Sequence, residues 1–174
     1  EGLLNGSRVA VVVGEFRFLG GSIGVNAATR MVNAIERATA EGIPVLAAPV
    51  SGGTRMQEGT RAFLQMVKIT EAVVAHKAAR LPYLVHLRHP TTGGVFASWG
   101  SLGHITVDQT AALAGLPGPK VYKALNGTDL PAGVQTAENL FAHGIVDAVL
   151  DARHLRKIAG EALAIIAARS SETA

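Results

Sequence analysis

The chain has 174 residues, 48% of them hydrophobic and 17% charged, with a formal net charge of +3 and no cysteine. That length and apolar share give one ordinary domain with a real core and exclude disorder, while the missing cysteine excludes disulfides, thiolate zinc sites, iron–sulfur clusters and a cysteine nucleophile. Sixteen basic against thirteen acidic residues, with no run of five cations, leave no nucleic-acid footprint, and no apolar stretch reaches the roughly 18 residues a membrane span needs.

The opening Glu1–Gly6 segment lacks a start methionine and a signal sequence, and reads as a trimmed or internal start. Arg8–Val13 is almost entirely apolar, which predicts a strand covered on both faces. After a loop from Gly14 to Gly21, Ser22 stands where a helix N-cap belongs. Ile23, Ala27, Ala28, Met31, Ile35 and Ala38 then recur at helical spacing, up to Gly42. Ile43–Ala48 is a second buried strand and Pro49–Gly53 a loop. A long helix follows from Thr54 to Arg80, with the stripe Phe63, Met66, Val67, Thr70, Val73 and Val74.

Leu81-Pro82 ends that helix, and Tyr83–Leu87 is a third strand. Pro90–Gly94 is a turn that opens a short helix, Val95–Leu102. His104–Asp108 and Ala111–Ala114 read as short strands, and Gly115–Pro119 as a punctuated loop. Helical turns cover Val121–Leu125 and Val134–Ala142. Ile145–Leu150 is a last strand, Asp151 caps a final helix, and Ser170–Ala174 is a frayed tail. Strands alternating with helices define an α/β domain of βαβ units over residues 1–174, with no repeat, linker or low-complexity segment. The abundant apolar surface either fills the core or in part meets another subunit.

Three glycine pairs stand at strand-to-helix turns: Gly20-Gly21, Gly52-Gly53 and Gly93-Gly94. In open parallel sheets such turns border the crevice beyond the carboxyl ends of the strands. Glycine admits close backbone approach, and the unbonded N–H groups at a helix start favour negative charge. Two such turns side by side would make an oxyanion hole of main-chain amides, although tight turns alone also call for glycine. Arg17, Arg55, Lys120 and Lys123 flank these turns or the later loop and are candidates to meet ligand phosphates.

Gly20-Gly-Ser-Ile-Gly24 also fits the G-x-S-x-G nucleophile elbow, with Ser22, then Asp108 or Asp147, then His154 in hydrolase order. Six residues separate the motif from the preceding strand, whereas an elbow sets its serine on the sharp turn itself. A helix cap is the simpler role for Ser22. Neither G-x-G-x-x-G nor G-x-x-x-x-G-K-[ST] occurs, which removes the dinucleotide and nucleoside-triphosphate readings. His86 and His89 lie at a strand end and no H-E-x-x-H exists, so no metal site is expected. Glu58 and Glu71 lack the spacing of a carboxylate dyad.

Longer strings carry more information. Glu15-Phe-Arg-Phe-Leu-Gly-Gly-Ser-Ile-Gly24, Ser51-Gly-Gly-Thr-Arg-Met-Gln-Glu-Gly59 and Pro90-Thr-Thr-Gly-Gly-Val95 resemble the carboxyltransferase β subunit of bacterial acetyl-CoA carboxylase. Ala97-Ser-Trp-Gly-Ser-Leu-Gly103, Gly115-Leu-Pro-Gly-Pro-Lys120, Leu130-Pro-Ala-Gly-Val-Gln135 and His143-Gly-Ile-Val-Asp147 continue the likeness in the same order. The resemblance implies a crotonase-like fold, a spiral of repeated ββα/βαβ units. It implies a cytoplasmic enzyme that moves a carboxyl group from carboxybiotin, on a biotin carboxyl carrier protein, to acetyl-CoA or another short acyl-CoA. The product would be malonyl-CoA for fatty acid biosynthesis. An α-type carboxyltransferase subunit would supply the other half of the site in a hetero-oligomer.

Position by position, Gly93 and Gly94 match the family's backbone oxyanion pair, and Gly52 and Gly53 match the adjacent turn. Arg17, Gly20, Gly21, Arg55 and Lys120 are the candidate substrate-binding residues. The implied chemistry suits a glycine-rich site, because the ureido anion left by carboxybiotin can take the thioester α-proton itself. The protein then holds two partners and stabilises oxyanions. No zinc ribbon is present, since that element needs four cysteines. Glu15, Thr54, His104 and Lys120 replace the family's usual Asp, Ala, Asp and Arg. Two alternatives stand beside this reading. One is a subunit of a biotin-independent malonyl-thioester decarboxylase; the other is a non-catalytic partner that binds acyl-CoA or a sister subunit.

Overall fold

The computed structural model describes the backbone of residues 1–172 and the side chains of residues 1–166. It opens with a hairpin in which β1 (Gly2–Leu4) and β2 (Ser7–Val13) run antiparallel. Asn5 and Gly6 join them with φ of 50° and 85°, the paired positive values that match the twist of a two-residue hairpin loop. The later strands are β3 (Val45–Ala48), β4 (Tyr83–Leu87), β5 (Thr91–Thr92), β6 (Ile105–Gln109), β7 (Ala114–Gly115) and β8 (Ala148–Leu150). The main sheet has the order β1-β2-β3-β4-β6-β8 and is parallel throughout beyond the hairpin; β5 and β7 pair in a second, small sheet.

Helices fill the connections: α1 (Val25–Ala40), α2 (Gly59–Ala78), α3 (Gly93–Phe96), α4 (Pro119–Asn126), α5 (Ala137–Ala142) and α6 (Ala152–Glu172). Single bridges extend the small sheet, joining Ile23 to Thr54, Ser51 to Thr91 and Leu113 to Thr136. The repeated unit is therefore a main-sheet strand, a short second strand or bridge, and a helix. β2–Ile23–α1, β3–Ser51–α2, β4–β5–α3 and β6–β7–α4 all obey it. This is the crotonase-like spiral.

One face of the main sheet packs on α1 and α2 through Ile35, Val45, Ala47, Ile69, Val73 and Val85. The other meets α6 through Val9, Leu84, Ala159 and Leu163. Each buried valine, leucine or isoleucine among these contributes about 1.5–3 kcal/mol. The expectation that β2 is covered on both faces is corrected: Val11 and Val13 are exposed, and the described side chains of α6 meet that strand at Val9.

The stripe expected on α2 is also corrected. The buried residues are Ala62, Gln65, Met66, Ile69, Ala72, Val73 and His76, whereas Phe63, Val67 and Val74 face out. Apolar residues occur in adjacent pairs along this helix, so periodicity alone leaves two faces open. His76 selects one, bonding to Thr39 Oγ1 (2.9 Å) on α1 and to the Pro82 carbonyl (3.1 Å). At the far end Asp151 caps α6 by accepting the Arg153 N–H (2.9 Å). The helical backbone continues past Ser170 to Glu172; Thr173 and Ala174, the end of the expected frayed tail, lie outside the described residues.

Candidate functional site

Parallel strands deliver the loops after β2, β3, β4 and β6 to one end of the sheet. There the second sheet ties them together. Gly52 N–H donates to Gly20 O (2.9 Å), Ser51 N–H to Pro90 O (2.7 Å), and Thr92 N–H to Ser51 O (2.9 Å). A β-carbon at Gly53 would sit 3.8 Å from Gly93 Cα, in ordinary contact. The three glycine pairs are thus neighbours, in the spatial order Gly20, Gly52, Gly93.

They differ as donors. Gly93 and Gly94 form the first turn of α3, where amides have no helical acceptor. The parallel pairing of Thr92 with Gly115 engages the Gly93 N–H with Gly115 O, whereas the Gly94 N–H has no ladder or turn acceptor among the described residues. Gly93 has φ 63°, a left-handed value that glycine adopts without strain. The Gly52 amide is committed to Gly20 O, and the Gly53 amide to Ser51 Oγ (2.9 Å). An outward-donating role for Gly52 and Gly53 is therefore corrected. They form a wall without side chains beside the Gly93–Gly94 turn. Gly21 N–H returns to Phe18 O (3.0 Å), and a β-carbon at Gly21 would collide with the Val50 carbonyl.

The cations separate too. Arg17 and Lys120 are exposed, Arg17 beside the first glycine pair and Lys120 in the first turn of α4. Gly118, the N-cap of α4, touches Thr92: a β-carbon there would lie 3.5 Å from Thr92 Oγ1. That contact brings the start of α4 next to the α3 turn. Lys123 pairs instead with Asp129 at 2.9 Å. Arg55 is largely enclosed, donating from Nη2 to Ser22 O (2.9 Å), from Nε to Ser22 Oγ (3.3 Å) and from Nη1 to Glu58 Oε1 (3.1 Å).

Ser22 is not the cap of α1. Its helix begins at Val25 behind Gly24, and the cap comes from Glu58 Oε2, which accepts the Val25 N–H at 2.7 Å. That hydrogen bond, reinforced by Arg55, holds the Glu58 carboxyl below its ordinary range against the opposing effect of burial. No sequence-local signal marks this cap, since the two residues are 33 apart. The unfilled cap at Gly24 and the Arg55–Glu58 pair at a helix start were the traces available.

The hydrolase constellation does not assemble. Ser22 Oγ faces Arg55, and Asp147 Oδ2 accepts the Thr106 N–H at 2.7 Å. Asp108 lies fully buried in β6 without a regular hydrogen bond, and burial, opposed only in part by the Gln109 amide, pushes its acid up to about 7. His89 and His104, both exposed, tie loops together: His89 Nδ1 accepts from Leu113 N–H (3.0 Å) and His104 Nδ1 from Tyr83 N–H (3.0 Å). Among the described residues no cluster of three or more His, Asp or Glu could hold a metal ion, and no helix is long and apolar enough to cross a membrane.

Residues 1–153 match the family described as the carboxyl transferase domain. The chain belongs to this family. Over 166 residues it is 64% identical to a probable biotin-dependent acyl-coenzyme A carboxylase beta3 subunit of Mycobacterium bovis, covering 95% of this chain and 34% of that protein. It is 42% identical over 156 residues to an acetyl-coenzyme A carboxylase carboxyl transferase subunit beta of Opitutus terrae, covering 90% of this chain and 54% of that one. Among solved structures it resembles a Pseudomonas malonate decarboxylase MdcD-MdcE hetero-dimer, with a TM-score of 0.82, 27% identity, and coverage of 94% of this chain and 74% of the other. The chain spans about a third to a half of the length of the two curated relatives.

Proposed function

We propose that this chain is the β-type half of a biotin-dependent acyl-CoA carboxyltransferase, carboxylating acetyl-CoA or another short acyl-CoA to malonyl-CoA or its homologue. The observation that carries the reading is the free main-chain amide of Gly94 at the start of α3, seated where three glycine turns of a carboxyl transferase fold converge. Preorganised N–H donors stabilise a developing oxyanion without reorganising, and removing one from such a hole costs about a hundred- to a thousandfold in rate.

The chain's own groups divide the work. In the Gly93–Gly94 turn the Gly94 amide holds a planar oxyanion, whether thioester enolate or ureido oxygen, and Gly93 supplies the left-handed bend that presents it. Gly20, Gly21, Gly52 and Gly53 keep the approach clear of side chains. Arg17 and Lys120 offer exposed positive charge to the CoA phosphates. Phe16, Phe18, Leu19 and Met56, all exposed, make an apolar rim for the thioester arm and the facing subunit. Bound carboxybiotin supplies the carboxyl group: its N–C bond breaks, a C–C bond forms at the acyl α-carbon, and the α-proton ends on biotin. A biotin carboxyl carrier protein and an α-type subunit are the partners this reading requires, in a cytoplasmic hetero-oligomer feeding fatty acid synthesis.

A second reading, a biotin-independent malonyl-thioester decarboxylase, draws on the likeness to the malonate decarboxylase hetero-dimer. The higher identity to the acyl-CoA carboxylase relative favours the first. The reverse reaction separates them: the chain is mixed with α-type carboxyltransferase subunits and free biotin, and malonyl-CoA loss is followed. Biotin-dependent release of CO₂ is expected. Biotin-independent release supports the decarboxylase, and CoA binding without turnover supports a non-catalytic partner.

A further inference from the structure

The string Arg55-Met-Gln-Glu-Gly59 stands beside the glycine turns, yet nothing in the carboxyl-transfer chemistry needs its charges. Its contacts all reach back to the first loop. Arg55 N–H donates to Ile23 O (2.9 Å), and its guanidinium takes the carbonyl and hydroxyl of Ser22. The same guanidinium lies 5.7 Å from the centre of the Phe18 ring, within range of a cation–π attraction. Glu58 closes the circuit by pairing with Arg55 and accepting the Val25 N–H. A β-carbon at Gly24 would collide with the Glu58 carboxylate, so the chain is glycine where the carboxylate passes.

The loop from Phe18 to Val25 is therefore gripped at both ends by residues three apart on the neighbouring loop. Between the grips, Ile23 N–H bonds to Gly53 O (3.0 Å) and Gly52 N–H to Gly20 O. The backbone that Arg55 and Glu58 hold is thus hydrogen-bonded to Gly52 and Gly53, which in turn touch Gly93. The Arg55 side chain is 15% exposed and that of Glu58 33%, so the pair is partly shielded from water and salt.

We propose that Arg55 and Glu58 are positioning residues: a latch that fixes the Phe18–Val25 loop, and with it the apolar wall of Phe18 and Leu19, against the Gly52–Gly93 contact. This assigns Arg55 to holding the loop rather than to binding a phosphate. The consequence for substrate rests on the carboxyltransferase reading: the latch sets acyl-CoA affinity, not the chemical step.

Hydrogen exchange on the full chain tests the latch directly. Glu58→Ala is expected to speed exchange of the Ile23, Val25 and Arg55 amides at least tenfold while β4 amides stay within about twofold. Glu58→Gln, which still accepts the Val25 N–H but lacks charge, is expected to fall between Glu58→Ala and the parent. Uniform acceleration that includes β4, or no local change, overturns the proposal. In the assembled enzyme, Glu58→Ala and Arg55→Ala are expected to raise KM for acyl-CoA about tenfold with kcat within about threefold, the pattern of lost uniform binding. A fall in kcat at unchanged KM, as fewer folded molecules would give, overturns it. If the parent chain shows no carboxyl transfer with any partner, the functional reading fails, and the exchange arm still decides the latch.

Discussion

At Gly94 a single hydrogen atom separates two expectations. A proline there deletes the amide donor at a position in the first helical turn that tolerates proline. Alanine keeps the donor. Both add a β-carbon that would meet Thr54 Cγ2 at 3.2 Å and Met66 Cγ at 3.4 Å, so alanine controls for crowding. In the biotin-dependent reverse assay Gly94→Pro is expected to lower kcat by about a hundredfold or more, and Gly94→Ala by less than about tenfold. Gly93 is the poorer probe, because a β-branched residue at φ 63° is itself strained.

Asp108 makes the opposite kind of test, of stability rather than rate. Its folded value of about 7 lies above the ordinary carboxyl value near 4, so between about pH 4 and 7 the folded chain holds a proton that the unfolded chain has lost. Stability should therefore fall as pH rises through that window and level off above it, by roughly 4 kcal/mol in full. Asp108→Asn, which cannot ionise, is expected to flatten the profile. Urea unfolding at pH 4 and pH 8 checks this: the two proteins should nearly agree at the lower pH and diverge, with the variant more stable, at the higher. The buried acid was not legible as such in the sequence, where Asp108 ends an otherwise ordinary apolar run.

Among the elements, α2 shows what periodicity can and cannot decide. Ile69 is fully buried and Val67, two residues away, is about half exposed. Ile69→Ala is expected to cost about 2–5 kcal/mol in chemical denaturation, and Val67→Ala less than about 0.5. Apolar residues at both Met66 and Val67, and at both Val73 and Val74, hid that difference in the sequence. The strands fared better, because continuous apolar runs such as Tyr83–Leu87 have no second solution at that length. The opening hairpin was legible in Asn5-Gly6 but passes unnoticed when β2 is read as an isolated run. The cap of α1 was not legible at all. It depends on a carboxylate that only the folded chain brings to Val25.

For the whole molecule, the parallel order of the strands made the meeting of the three glycine turns deducible from the turns themselves. Which amides stay free was not. That is settled by Gly20 O and Gly115 O on neighbouring segments and by Ser51 Oγ within the same loop. The same architecture argues for incompleteness in the functional sense: the rim of Phe16, Phe18, Leu19 and Met56 is open, and the chain alone is expected to be silent in the reverse assay until an α-type subunit is added.

The narrow second sheet has a consequence for variation. It passes from loop to loop through peptide groups, Gly20 to Gly52, then Ser51 to Thr92, so the shape of the crevice is written in main-chain register. Apart from the Arg55–Glu58 pair, side chains around it can be exchanged without erasing that shape. Lengthening or shortening any one of those loops by a residue would not be absorbed in the same way, because every later turn takes its alignment from the one before.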